Sequence, residues 1–328
     1  MVYCILTNRF CISQNLEFLY VVDCNQLSDA VLAVLKHGLK NLEHLKIGNL
    51  LGVQLFFQLG ATLSDGQESK ISLLRSSLKE LTLENLPELE VLCKGPTHVL
   101  SLQNLTSLIL KDCNRLSHIF SSALARNLLQ LKHFRIEHCK ELEQIIVEDE
   151  DEAHNQISSS DHLQHVYFPN LIYIKVKECN KLERLFHVDI ARGLQKLREL
   201  TVCDNMRLVE VFGQKDEAGI GNDYEIVLSE LWHLELNGLP SLTNVCPMGY
   251  HFIFPSLRSF KVIDCPMIST RFSAGQTDSV HAEAEVPILR LLPRCFSTLI
   301  CFLFYFLGQQ ESPILSFVLT DCVGTTDG

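Results

Sequence analysis

The chain has 328 residues, 47% of them hydrophobic, with a net charge of -11 and thirteen cysteines. That apolar content is ample for a packed core, and the acidic balance is the wrong sign for a phosphate-neutralising face, so no nucleic-acid partner is expected. The opening stretch MVYCILTNRFCISQ has too short and interrupted an apolar run for a secretory leader. A reducing, cytoplasmic location is therefore expected, with the nucleus or the periphery of a membrane as alternatives.

From Leu16 onward one nine-residue unit recurs, LxxLxLxxC, with other apolar residues tolerated at the Leu positions. It reads LEFLYVVDC from Leu16, LEHLKIGNL from Leu42, LKELTLENL from Leu78, LTSLILKDC from Leu105 and LKHFRIEHC from Leu131. It continues as LIYIKVKEC from Leu171, LRELTVCDN from Leu197, LWHLELNGL from Leu231 and LRSFKVIDC from Leu257. Successive starts lie 26, 36, 27, 26, 40, 26, 34 and 26 residues apart, so a period of 26 with three insertions accounts for every gap. Apolar residues at the fourth and sixth positions predict a strand with one buried face, because side chains alternate with period two. The ninth position turns back into the interior. A second apolar series at spacing three follows, as in CNRLSHIF from Cys113 and CKELEQII from Cys139, and predicts a helical turn or 3₁₀ segment. The fold expected is an α/β leucine-rich-repeat solenoid. Its parallel β-sheet lines the concave face, with short helical, 3₁₀ or irregular segments on the convex face.

In chain order, residues 1–15 are expected to be an N-terminal cap or the edge of a fragment, and 16–268 the solenoid of about nine repeats. The insertions fall near 59–76, 148–167 and 213–227. The middle one carries the acidic run Glu148 to Glu152 and reads as a solvated loop. Residues 269–328 form a divergent tail in which Thr270–Glu285 reads as polar linker. The unbroken apolar part of that tail, Cys295–Leu307, is shorter than the ~20 residues a membrane span needs. Three readings of it stay open: an artificial end, a buried cap or a membrane anchor, with the anchor disfavoured by length.

The repeat phase also organises the cysteines. Cys24, Cys113, Cys139, Cys179 and Cys265 share the ninth position, which predicts a ladder of buried free thiols. No CxxC or HExxH spacing supports a metal site. No GxxxxGK[ST], GxGxxG after a strand, or GxSxG appears either, so no cofactor and no enzymatic activity are expected. His162 and His165 fall in an insertion with no ligand partners, and Asn104-Leu105-Thr106 is a glycosylation acceptor only on a secretory route.

Outward strand positions supply the candidate binding face. The fifth position reads Tyr20, Lys46, Thr82, Ile109, Arg135, Lys175, Thr201, Glu235 and Lys261. Together with Lys111 and Lys177 at the seventh position, His133 and Tyr173, this predicts a basic-leaning track for an acidic protein segment. Glu84, Asp112, Glu137, Glu178 and Asp264 flank and partly neutralise it, and ordinary solvated strand faces are the competing reading. His133, Arg135 and His138 form its densest polar group, without an acid or thiol partner for metal or catalytic work. Reversing Lys175 and Lys177 to Glu is expected to leave the fold intact and to weaken an acidic partner.

FPNLIYIKVKECNKLERLF (Phe168–Phe186), LTSLILKDCNRLSHIF (Leu105–Phe120) and FPSLRSFKVIDCPMI (Phe254–Ile268) resemble the C-terminal repeats of plant coiled-coil nucleotide-binding leucine-rich-repeat resistance receptors. The F-P-x-L before the strand and the C-x-x-L-x-x-[IL] after it carry the resemblance, which covers about 16–267. It implies a surface that senses a pathogen effector or a guarded host protein in plant defence. The sequence departs from the family by lacking a coiled-coil segment and a nucleotide-binding domain, so recognition without a nucleotide switch is expected, as a truncated product or a fragment of a longer receptor. Cys24–Asn49 also resembles the cysteine-containing repeats of F-box proteins through C-x-x-L-S-D. The alternatives are thus a substrate-recognition subunit of a ubiquitin ligase or a non-signalling remnant. The ligand's identity and the oligomeric state are not encoded in any of these patterns.

Overall fold

The computed structural model describes residues 3–5, 16–23, 41–58, 74–75, 77–94, 100–147, 166–214, 224–275, 279–284 and 316–318. The expectations for Cys24 and the segment to residue 40, for Glu148 to Glu152, for His162 and His165, and for the apolar tail at 286–307 lie outside these residues.

Each of the nine units forms one five-residue strand at its third to seventh positions. Counting flanking strands, the main sheet contains β1 (Tyr3–Ile5), β2 (Phe18–Val22), β3 (His44–Gly48), β4 (Glu80–Glu84), β5 (Ser107–Lys111) and β6 (His133–Glu137). It goes on through β7 (Tyr173–Lys177), β8 (Glu199–Cys203), β9 (His233–Asn237), β10 (Ser259–Ile263) and β11 (Ser316–Val318). The eleven strands pair in that order, all parallel. Register is constant: Leu108, Phe134, Ile174, Leu200, Leu234 and Phe260 stand in one row across the sheet. The insertions leave it unchanged, because a one-residue slip would turn every apolar residue outward. The fourth and sixth positions are buried throughout, save for the half-buried Val262, and each fully buried Leu or Ile contributes roughly 1.5–3 kcal/mol. Inside, Phe120 packs against Phe134 at 5.7 Å and Phe168 at 6.0 Å, and Phe168 against Phe186 at 6.1 Å, so the aromatic rings run from repeat to repeat.

The eighth position ends every strand with a left-handed residue. Asp23, Asn49, Asn85, Asp112, His138, Glu178, Asp204, Gly238 and Asp264 have φ between 50° and 63°. Asn, Asp and Gly enter that region most readily, so the unit's composition there has a backbone cause. The turn sends the ninth side chain inward and aims the eighth amide at the next strand. Asp112 N–H, for example, donates to Glu137 O at 3.0 Å and His138 N–H to Lys177 O at 2.8 Å. Cys113, Cys139, Cys179 and Cys265 are buried free thiols in the ninth position, and each donates to the carbonyl two residues earlier at 3.3–3.6 Å. Asn205 takes their place in the seventh unit. Its Oδ1 accepts from Cys179 N–H at 2.7 Å, and its Nδ2 donates to Cys203 O at 2.8 Å.

Opposite the main sheet, the spacing-three series begins as the expected single turn, with Leu116 N–H donating to Cys113 O at 3.2 Å and Leu142 N–H to Cys139 O at 3.2 Å. It then departs from the helical expectation. Four short strands, Leu55–Gln58, Val91–Lys94, His118–Ser121 and Gln144–Val147, make a second parallel sheet, and Arg184–His187 pairs with Glu210–Gly213. Stacking at the main-sheet spacing brings these backbones within pairing distance, and buried amides need partners. Helix is confined, among the described residues, to α1 (Ser122–Asn127) and α2 (Val188–Ala191).

Two sequence readings are corrected at the C-terminal end. Tyr224–Val227, read as part of the third insertion, is a strand parallel to Tyr250–Phe254. The Thr270–Glu285 stretch, read as linker, contains the antiparallel strands Thr270–Ala274 and Val280–Ala284, and the second also pairs with Tyr250–Phe254. Its polar composition conceals an alternation: Thr270, Val280 and Ala282 are buried, and the Phe272 ring lies 4.5 Å from that of Phe260.

Candidate functional site

The outward positions of β2–β10 form one continuous face, and register decides which charges meet there. The eight candidate residues all lie on it. Lys46 and Lys111, from β3 and β5, reach the same Glu84 carboxylate on the strand between them, at 3.0 and 3.1 Å. Arg135 and Lys175 converge on Glu137 at 2.8 and 3.0 Å, and the Glu137 side chain is only 7% exposed. Lys177 reaches Glu178 at 3.2 Å and Asp204 at 3.7 Å, and Lys261 reaches Glu235 at 3.4 Å. The His133 ring lies 6.4 Å from that of Tyr173. His133 and Arg135 share the face, whereas His138 stands in the left-handed turn, between Asp112 at 2.9 Å and Glu178 at 3.3 Å.

The basic track of the sequence is thus an ion-pair lattice, in which each of its six cations faces a carboxylate. The electrostatics follow from the geometry. Hydrogen bonds from Lys46 and Lys111 hold the Glu84 carboxyl below the usual carboxylate range. Burial pushes Glu137 upward, but its hydrogen bonds to Arg135 and Lys175 outweigh this and leave it lowered. Lys175 is therefore a structural partner of a buried carboxylate, so its reversal to Glu would destabilise the fold rather than leave it intact.

Cys203 also lies at a seventh position of this face, and burial pushes its thiol up to about 11, so it is a poor nucleophile. No group of three His, Cys, Asp or Glu side chains among the described residues is arranged to hold a metal. No helix among them is long and apolar enough to cross a membrane.

Sequence reasoning missed the margins of the face. At the strand ends, the eighth-position side chains bond in a row: Asn85 Nδ2 donates to Asn49 Oδ1, and Asn49 Nδ2 to Asp23 Oδ1, both at 2.8 Å. The recurrent Asp/Asn/Gly at this position was the available signal. At the strand starts, the second position reads Lys79, Thr106, Lys132, Ile172, Arg198, Trp232 and Arg258 from β4 to β10. A shallow recess lined by Glu43, Ser77, Lys79, Asn104, Thr106 and Gln130 opens on the same margin.

Such a face offers many polar groups on a rigid support, which suits recognition of another macromolecule. Comparison with known proteins agrees. The family described as plant disease resistance protein RPS2-like, leucine-rich repeats, matches over residues 4–140 and 141–282, so the match runs into the C-terminal hairpin. No curated protein and no solved structure matched the chain. These repeats are a protein-interaction module, and the two matched regions take in most of the 328 residues. The chain belongs to the leucine-rich-repeat family of RPS2-like plant disease resistance proteins.

Proposed function

We propose that the sheet face recognises a protein ligand in plant defence, either a pathogen effector or a guarded host protein. These residues contribute binding and no nucleotide switching of their own. The observation that carries the reading is the unbroken parallel register from β2 to β10. It holds outward side chains of nine repeats in fixed rows on a support too well packed to rearrange. A cytoplasmic site of action is part of the proposal, and buried thiols bonded to backbone carbonyls fit a reducing compartment.

The test is direct binding of the purified chain to a panel of secreted pathogen proteins and host cytoplasmic proteins by biolayer interferometry. Tyr173→Ala with Thr201→Arg alters the centre of the face without removing a core residue or an ion-pair partner. A ligand is expected whose affinity falls at least ~10-fold in this variant, the size of one lost central contact, with the melting temperature held. Undiminished binding by the variant would show that recognition lies elsewhere.

A further inference from the structure

Among the described residues, two exposed cations without a carboxylate partner, Lys132 and Arg258, lie at the strand starts of the sheet face. Along the second-position row from β6 to β10, Lys132, Ile172, Arg198, Trp232 and Arg258 each immediately precede one of the successive strands, so cations alternate with apolar side chains. Backbone bonds fix the order. Trp232 N–H donates to Arg198 O at 3.0 Å, and Arg258 N–H donates to Trp232 O at 2.9 Å. Trp232 is the chain's single tryptophan and is 42% exposed. Arg198 bonds Glu230 at 2.9 Å. Among the described residues, Lys132 and Arg258 have no carboxylate within ion-pair distance, although both are exposed. Nearby Lys196 bonds the neutral Asn170, at 2.6 Å.

We infer that this margin is a docking strip for an extended acidic segment of a partner protein, anchored by an apolar side chain against Trp232. The inference rests on the protein-recognition reading above and names the chemistry of the partner. Three arguments support it. Charge complementarity is local: the chain carries -11 overall, yet Lys132, Lys196 and Arg258 leave this edge with unanswered positive charge. Tryptophan and arginine are the side chains that most often dominate protein interfaces, through apolar area and forked donors. The dimensions also fit. Four strand spacings of ~4.8 Å separate Lys132 from Arg258, a span that about six extended residues cover. A protein segment is favoured over a nucleic-acid strand because Glu199 and Glu230 stand beside the row. Separate carboxylates can avoid these acids, but a continuous phosphate chain meets their repulsion.

Because Trp232 is unique, its fluorescence reports on this strip alone. On the full chain at low ionic strength, iodide should quench it several-fold better than caesium, with the difference shrinking as salt screens the cations. A capped hexapeptide of sequence EELEEL should shift the emission, and R258E or K132E should weaken that titration at least ~10-fold while the melting temperature holds. Equal quenching by the two ions, or equal peptide binding by R258E, would overturn the proposal. So would a stronger response to decathymidine than to the peptide, which would make the strip a nucleic-acid surface. The two readings separate on the ligand found by interferometry. If its binding survives R258E but falls in the Tyr173→Ala, Thr201→Arg variant, the strip fails and the sheet-face reading stands. If neither variant affects it, both fail.

Discussion

The centre of the sheet face pairs all six of its cations, whereas the strand-start margin pairs Lys79 and Arg198 but leaves others without an acid. In the centre, Lys46, Lys111, Arg135, Lys175, Lys177 and Lys261 are each answered by a carboxylate of their own or a neighbouring repeat. At the margin, Lys132 and Arg258 stand without one among the described residues. The difference teaches that charge in a solenoid is a property of rows, not of a strand taken alone. For Lys46, Lys111, Lys175 and Lys261 the nearest acid comes from a neighbouring repeat, 26 or more residues away in sequence, so a count along one strand misjudges what a ligand meets.

The largest effect that would break this comparison is in the core beneath it. Leu108→Asp or Ile174→Asp buries an unpaired charge between stacked strands and should cost on the order of 5 kcal/mol, unfolding adjacent repeats. Far-UV circular dichroism and limited proteolysis read this directly, and an unchanged protease pattern would mean that the register is wrong. Next comes Asn205→Leu. Leu fills the ninth position in other repeats, but here it would strand the buried Cys179 N–H, which bonds Asn205 Oδ1 at 2.7 Å, so a loss of about 1–3 kcal/mol is expected. Urea denaturation measures it.

In the central lattice, Glu137→Gln should cost about 1–3 kcal/mol, because it removes the carboxylate shared by Arg135 and Lys175. Lys175→Glu should cost at least as much, whereas Lys261→Glu, whose partner Glu235 is less enclosed, should cost less. The pH dependence sharpens the same point. Glu84 and Glu137 are lowered in the folded state, so their stabilisation is fully present above the unfolded carboxylate value of about 4.3. It is lost as pH falls through their lower folded values. Thermal melts below pH 4 should therefore show a shallower acid loss for Glu137→Gln than for the unsubstituted chain. The smallest effect belongs to the margin. Arg258→Ala and Lys132→Ala should leave stability within about 0.5 kcal/mol, and a larger change would reveal a structural role for those side chains.

Much of the architecture was legible because it is written locally and repeated. Leu105, Leu108, Leu110 and Cys113 show strand, facing and inward return within nine residues, and Leu131, Phe134, Ile136 and Cys139 show them again. The second sheet was less legible. His118–Ser121 reads as a continuation of a helical spacing, and only the neighbouring Gln144–Val147 makes it a strand. The hairpin at Thr270–Ala284 was hidden for a related reason, since its partners at Tyr250–Phe254 precede it by some twenty residues and its alternation uses Thr and Ala rather than Leu. The left-handed eighth position was readable in Asp23, Asn49, Asn85 and Gly238, although His138 and Glu178 blur the pattern.

By itself, then, the sequence determined the repeat, the strand register and the buried rows, because period two and the 26-residue spacing act on each unit independently of distant residues. Tertiary structure alone decided the pairing of the face. Arg135, Glu137 and Lys175 become one cluster only when β6 and β7 lie side by side across a 40-residue separation of their units. Lys132 and Arg258 stand apart from such clusters for the same reason: among the described residues, the strands beside them bring no carboxylate within reach. Coulomb interaction depends on distance in space, and in this fold the stacking of repeats sets that distance.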